Sequence, residues 1–191
     1  MAEPGQKTRR PNRGPGGASS NRAALIAAAR EVFAEFGVHA PISRVARRAG
    51  VGQAVLYRHF PDRQSLGLAV FEENLQFLEA LVARPETTFD DLIATLIDQL
   101  VSSNAFFVMV DPTTSDIRLA AMADRMTVVL ASKLADARQR GTLRADLTVE
   151  DLRLGLDMMA AYLSRTDAPD RTGVARRLWA LLKAGLAAPD S

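Results

Sequence analysis

Cysteine is absent from the 191-residue chain, which excludes disulfides, thiolate metal sites and a thiol nucleophile. That composition suits a reducing cytoplasm, where the protein is expected to work. His39 and His59 are the only histidines. No Ser-His-Asp order, metal-ligand cluster or phosphate-cradling glycine loop appears, so neither catalysis nor a cofactor is expected. No run of about 18 uncharged apolar residues occurs, and no membrane span is expected. The N-terminus, rich in Gly, Pro and Arg, lacks the apolar stretch of a secretory signal. Strand signals are nearly missing, which makes a parallel sheet implausible.

What remains is helical and unevenly charged. Hydrophobic residues make up 48% of the chain, enough for a substantial core, and 24% are charged. Residues 1–60 carry 10 Lys/Arg against 3 Asp/Glu, a net +7, while residues 61–191 carry 14 against 19, a net −5. A basic end on an acidic body is the footprint of a polyanion-binding head, although a solvated basic face would look the same.

Residues 1–20 hold Lys7, Arg9, Arg10 and Arg13 among Pro and Gly, with no apolar run, and read as a disordered basic arm. Ser20 or Asn21 is expected to cap a first helix, with Leu25, Ala28, Ala29, Val32, Phe33 and Phe36 on one face and Gly37 at its end. Short helices over Ile42 to Ala49 and Gln53 to His59 follow, then a long one from Pro61 to about Arg84. Further helices are expected from Thr88 or Asp90 to Leu100, from Ile117 to Arg140, from Thr148 to about Ser164 and from Asp170 to near Ala187. Asp111-Pro112 marks a turn, and Thr113 or Thr114 can begin an element beyond it. The whole reads as an all-α chain of about nine helices, without internal repeats.

The two short helices are joined by Ala49-Gly50-Val51-Gly52. A helix-turn-helix needs a small residue and a glycine there, because the chain reverses within three or four residues. Its second helix lies in the DNA major groove. In this one Leu56 and Phe60 must point inward, which leaves Gln53, Ala54, Tyr57, Arg58 and His59 toward the groove and its phosphate walls.

The run from Ile42 through Ala49-Gly50-Val51 and Leu56-Tyr57-Arg58-His59-Phe60 to Pro61-Asp62-Arg63-Gln64-Ser65-Leu66 resembles the TetR family of bacterial repressors. The likeness covers residues 21–70; Pro41-Ile42 and Arg63 depart from the family's usual Thr/Ser pair and Lys. It implies a three-helix DNA-binding domain over 21–66 and a larger helical ligand-binding and dimerisation domain over 67–191. By resemblance, Ser43 and Arg44 approach the DNA backbone, Gln53 reads a base and Ala54 touches a thymine methyl. Tyr57 and His59 hold phosphates, Arg58 a phosphate or a guanine, and Arg63 a phosphate beside a helix N-terminus. The arm has two open roles, reaching into the minor groove or raising non-specific affinity by counterion release.

The resemblance also implies a homodimer through the last two helices, about 149–165 and 170–187. Leu152, Leu156, Met159, Ala160 and Leu163, with Leu178, Leu181, Leu182 and Gly185, are candidates for its apolar seams. Phe106, Phe107, Met109, Met122, Met126, Met158, Tyr162 and Trp179 are candidates for a pocket holding a small-molecule effector, since Met adapts and aromatic faces hold flat ligands. Plain core fits the same stripe. The implied activity is that of a repressor on a (pseudo)palindromic double-stranded operator, released by its effector; a corepressor is the alternative. A purely structural helical module explains the helices but not the ordered residues of the reading helix.

Overall fold

The computed structural model describes residues 15–37, 39–103, 106, 116–167 and 169–187. Among them are eight α-helices: α1 (Pro15–Phe36), α2 (Ile42–Arg48), α3 (Gln53–His59), α4 (Arg63–Val82), α5 (Phe89–Ser102), α6 (Ile117–Gln139), α7 (Val149–Leu163) and α8 (Arg171–Leu186). The only β pairing among them is an isolated bridge between Leu143 and Ala187. No helix of the described residues is long and apolar enough to cross a membrane. The expected turn at Asp111-Pro112 and the start at Thr113 or Thr114 lie outside the described residues.

Helix α1 begins at Pro15, before the cap expected at Ser20 or Asn21, so residues 15–20 of the basic arm are helical. Proline is tolerated in a first turn, where its missing N–H would lack a partner anyway. The helix can then extend backwards from the anchored residues Leu25 and Ile26, both fully buried. The other boundaries follow local chemistry. Asp62 with Ser65, Thr88 with Asp91 and Thr148 with Asp151 form reciprocal capping boxes at the starts of α4, α5 and α7. Gly141, at φ +69°, closes α6 by receiving the chain in the left-handed region.

Two apolar cores share α4. In the head, Leu25, Ile26, Val32 and Phe33 of α1 pack with Val45, Leu56 and Phe60, and with Leu66, Ala69 and Val70 at the start of α4. Farther along the same helix, Leu75 and Leu78 enter the body core with Leu92, Ile93, Leu130, Leu134, Leu152 and Leu163. Helix α4 is therefore common to both cores.

The apolar seams expected to face a second subunit are mostly internal. Leu152, Leu156, Met159, Ala160 and Leu163 are buried in the body core, and Leu178 and Leu182 pack partly against it. Gly155 opens space for Leu182, whose methyl lies 3.6 Å from where a Cβ would stand. Of the expected residues, Leu181 and Gly185 of α8 are exposed, and on α7 the exposed apolar residues are Leu154, Met158 and Tyr162, one turn apart.

Arg125 clamps α6 onto α4, donating to Glu72 at 2.8 Å and to Glu79 at 2.7 Å. These bonds hold both carboxyls below their ordinary range. A depressed folded-state value means that the clamp contributes above the ordinary glutamate range and is lost as pH falls through the folded-state values. The pairs are partly exposed, so each contributes about 1 kcal/mol or less. The double variant Glu72→Gln, Glu79→Gln is expected to melt a few degrees lower at neutral pH and to converge on the parent in acid, once both carboxyls are protonated. A gap that persisted into acid would show that the glutamates act through packing rather than charge.

Candidate nucleic-acid interface and cavity

The turn between α2 and α3 is set by hydrogen bonds. Val51 N donates back to Ala46 O at 3.0 Å and Gly50 N to Arg47 O at 3.1 Å, which satisfies the last carbonyls of α2. This wrap requires the left-handed conformation that Gly50 adopts, φ +69°. A Cβ there would meet nothing within 4 Å, so the demand is conformational and not steric. Gly50→Ala is expected to cost about 1–2 kcal/mol, read as a lower melting temperature. An unchanged melting temperature would show that the turn does not need the positive φ.

Beyond the turn, α3 divides as the sequence implied. Leu56 and Phe60 are buried beneath it. Gln53, Ala54, Tyr57 and Arg58 are exposed, and their i, i+1, i+4, i+5 spacing gathers them on one face. Tyr57 is 48% exposed, so it is not a core residue. His59 is half-buried, and its Nε2 is sealed off without a hydrogen-bond partner among the described residues.

The flanking residues are tied more closely to the protein than expected. Ser43 is half-buried. The Arg44 guanidinium sits 4.3 Å over the Phe36 ring, a cation–π contact that holds it against α1. Arg63 donates from Nη2 to Ala40 O at 2.7 Å and stacks 5.3 Å over Phe33. The first turn of α4 is already occupied by a negative group, since Asp62 accepts from Ser65 N at 2.6 Å. Arg48 joins α2 to α1 by ion pairs to Glu31 at 2.8 Å and Glu35 at 2.7 Å. Those two carboxylates raise the Arg48 pKa further. Exposed Arg47, basic and beside the turn, was not singled out from the sequence; its lack of apolar periodicity and its place before Ala49 are the signal that was available.

A cavity of about 650 Å³ opens in the body between α4, α5, α6 and α7. Phe71, Leu75, Leu96, Leu100, Leu119, Met122 and Met126 give it apolar walls, and Asn74, Gln99, Asp157 and Ser164 give it polar points. Of the residues expected to hold a ligand, Met122 and Met126 line it. Phe107 and Met109 lie outside the described residues. Phe106 does not face the cavity: it is 1% exposed and stacks edge-on to Phe33 of α1, ring centroids 5.4 Å apart, inside the head core. Met158 and Tyr162 project outward from α7, and Trp179 packs against the body core away from the lining. Asn74 and Gln99 were missed because one polar residue within an apolar helix face carries no periodic signal of its own.

Hydrogen bonds run from this cavity to the head. Gln99 Nε2 donates to Asn74 O at 3.2 Å, and Asn74 Nδ2 donates to Ser103 Oγ at 3.3 Å. Arg30 of α1 donates to the same Ser103 Oγ at 3.1 Å and pairs with Glu73 at 3.5 Å.

Residues 25–70 match the sequence model of bacterial regulatory proteins of the tetR family. The transcriptional activator FasR of Mycolicibacterium smegmatis is 34% identical over 125 residues, which are 65% of this chain and 55% of FasR. The chain thus aligns with only about half of that relative's length. The transcriptional regulator UidR of Escherichia coli is 27% identical over 169 residues, 80% of this chain and 85% of UidR. A TetR transcriptional regulator from Streptomyces coelicolor superposes with a TM-score of 0.63 at 27% identity, over 88% of this chain and 99% of that one. With its helix-turn-helix, its all-helical body and these relatives, the chain carries the DNA-binding domain of the TetR family and is similar along most of its length to that family's transcriptional regulators.

Proposed function

We propose that the chain is an effector-responsive repressor that binds a (pseudo)palindromic operator as a homodimer and is released when a small molecule fills the body cavity. Gln53 reads a base, since its amide can pair bidentately with adenine, and Ala54 permits contact with a thymine methyl. Tyr57 and Arg58 meet phosphates or a guanine at the groove wall. Ser43, Arg44 and Arg63 set the approach of the head to the DNA backbone, and His59 does so once the groove wall reaches it. Operator DNA places this work in the cytoplasm.

One observation carries the reading: Asn74 and Gln99 belong both to the cavity wall and to the hydrogen-bonded chain that ends on Arg30 of the head. A ligand that moves the Asn74 carboxamide disturbs Ser103, to which Arg30 of α1 also donates, and α1 supports the reading helix. By linkage, a molecule favouring the arrangement with mis-spaced heads weakens operator binding by its differential affinity for that arrangement. Footprinting on DNA upstream of the protein's own gene tests the proposal. Two protected half-sites about one helical turn apart are expected, bound by two chains. Protection of a single half-site by one chain would contradict it.

A further inference from the structure

The described lining of the cavity carries charge of one sign. Among the described residues lining it there is no lysine, arginine or histidine, and the one charged side chain is Asp157 of α7. Nothing among the described residues hydrogen-bonds to that carboxylate. Burial pushes its carboxyl up, and Arg153 acts on it only through space.

The neutral polar groups add no positive charge. Ser164 spends its only O–H on Ala161 O at 2.8 Å. Gln99 and Asn74 each commit one of their two amide N–H groups, to Asn74 O at 3.2 Å and to Ser103 Oγ at 3.3 Å, and so keep a donor beside the side-chain oxygen. Their side-chain oxygens, Oε1 and Oδ1, accept no hydrogen bond among the described residues. The carboxamides can meet either kind of partner, so the lone carboxylate sets the preference: a ligand that brings donors suits it, because an acceptor desolvated without a donor is costly. A carboxylate or phosphate would find no cation here and would meet Asp157 with like charge.

Resting on the reading of this cavity as the effector site, we infer that the effector is an amphiphile with an apolar body and an amine or other cationic head. The head donates to Asp157 at the rim, and the body lies against Leu75, Leu100, Met122 and Met126.

The test is calorimetric titration of the full chain at pH 7 with three probes sharing one biphenyl body: 4-phenylbenzylamine, 4-phenylbenzyl alcohol and biphenyl-4-carboxylate. The amine is expected to bind about tenfold more tightly than the alcohol, a preference moderated by solvent at the half-open rim, and the carboxylate most weakly. Asp157→Asn should erase the amine's advantage and leave the alcohol unchanged. Glu150→Gln, which removes the same charge at the exposed start of α7, should alter neither. Equal binding of all three probes, tighter binding of the carboxylate, or an amine preference that survives Asp157→Asn overturns the inference and leaves the effector cavity standing. Binding of none of the probes up to millimolar concentration contradicts the cavity as an effector site and removes the inference with it.

Discussion

Leu154→Glu combined with Leu181→Glu is expected to leave the chain monomeric at micromolar concentration and to weaken operator binding about a hundredfold or more. Leu154 is 61% exposed, Met158 59%, Tyr162 58% and Leu181 68%. Large apolar side chains exposed on two packed helices are the surface that the proposed dimer would cover. Covering each one contributes on the order of 1.5–3 kcal/mol, and a symmetric interface counts every residue twice. A glutamate in that contact would be desolvated without a partner, which reverses the gain. Because both leucines are exposed in the single chain, the double variant should melt as a folded protein. Sedimentation equilibrium reads the assembly and fluorescence anisotropy reads operator affinity. A dimeric variant with parental affinity would place the interface elsewhere.

Phe106→Ala should destabilise the chain by about 3–5 kcal/mol and loosen the head from the body. The ring is fully enclosed in the head core, at 89° to Phe33, although it follows α5 of the body in sequence. Truncation leaves a cavity that the surrounding helices fill only in part, and it also removes an edge-to-face contact of about 0.5–1.5 kcal/mol. For a chain of this size, the loss corresponds to a fall in melting temperature of roughly 6–20 °C. Calorimetry should show the head melting ahead of the body in the variant. A single transition at the parental temperature would mean that Phe106 does not join the two parts.

Local chemistry carries its own signature in the sequence, and long-range choice does not. The turn at Ala49 to Gly52, the inward residues Leu56 and Phe60, and the Thr148 cap are each set by neighbours within a few residues, and each is found where the sequence implied. The orientation of α7 is different. Leu152, Leu156, Met159 and Leu163 make one apolar stripe and Leu154, Met158 and Tyr162 another, so periodicity alone does not say which stripe is the core. Phe106 belongs to an apolar run with no polar face, and its partner Phe33 lies in another domain. Arg44 and Arg63 looked like free cations because a stacking ring is not adjacent in sequence. The cavity depends on Asn74, Gln99 and Asp157 converging from three helices, which only the fold reveals.

The central claim is that the exposed face of α3 reads a DNA sequence. Fluorescence anisotropy at moderate salt, on DNA upstream of the protein's own gene against a scrambled duplex, tests it most directly. The parent chain should prefer the natural duplex by about a thousandfold or more. Gln53→Ala should lose about 1–3 kcal/mol on that duplex while binding the scrambled one as before. Equal affinity of the parent for both duplexes, or a Gln53→Ala variant with undiminished preference, would contradict the account.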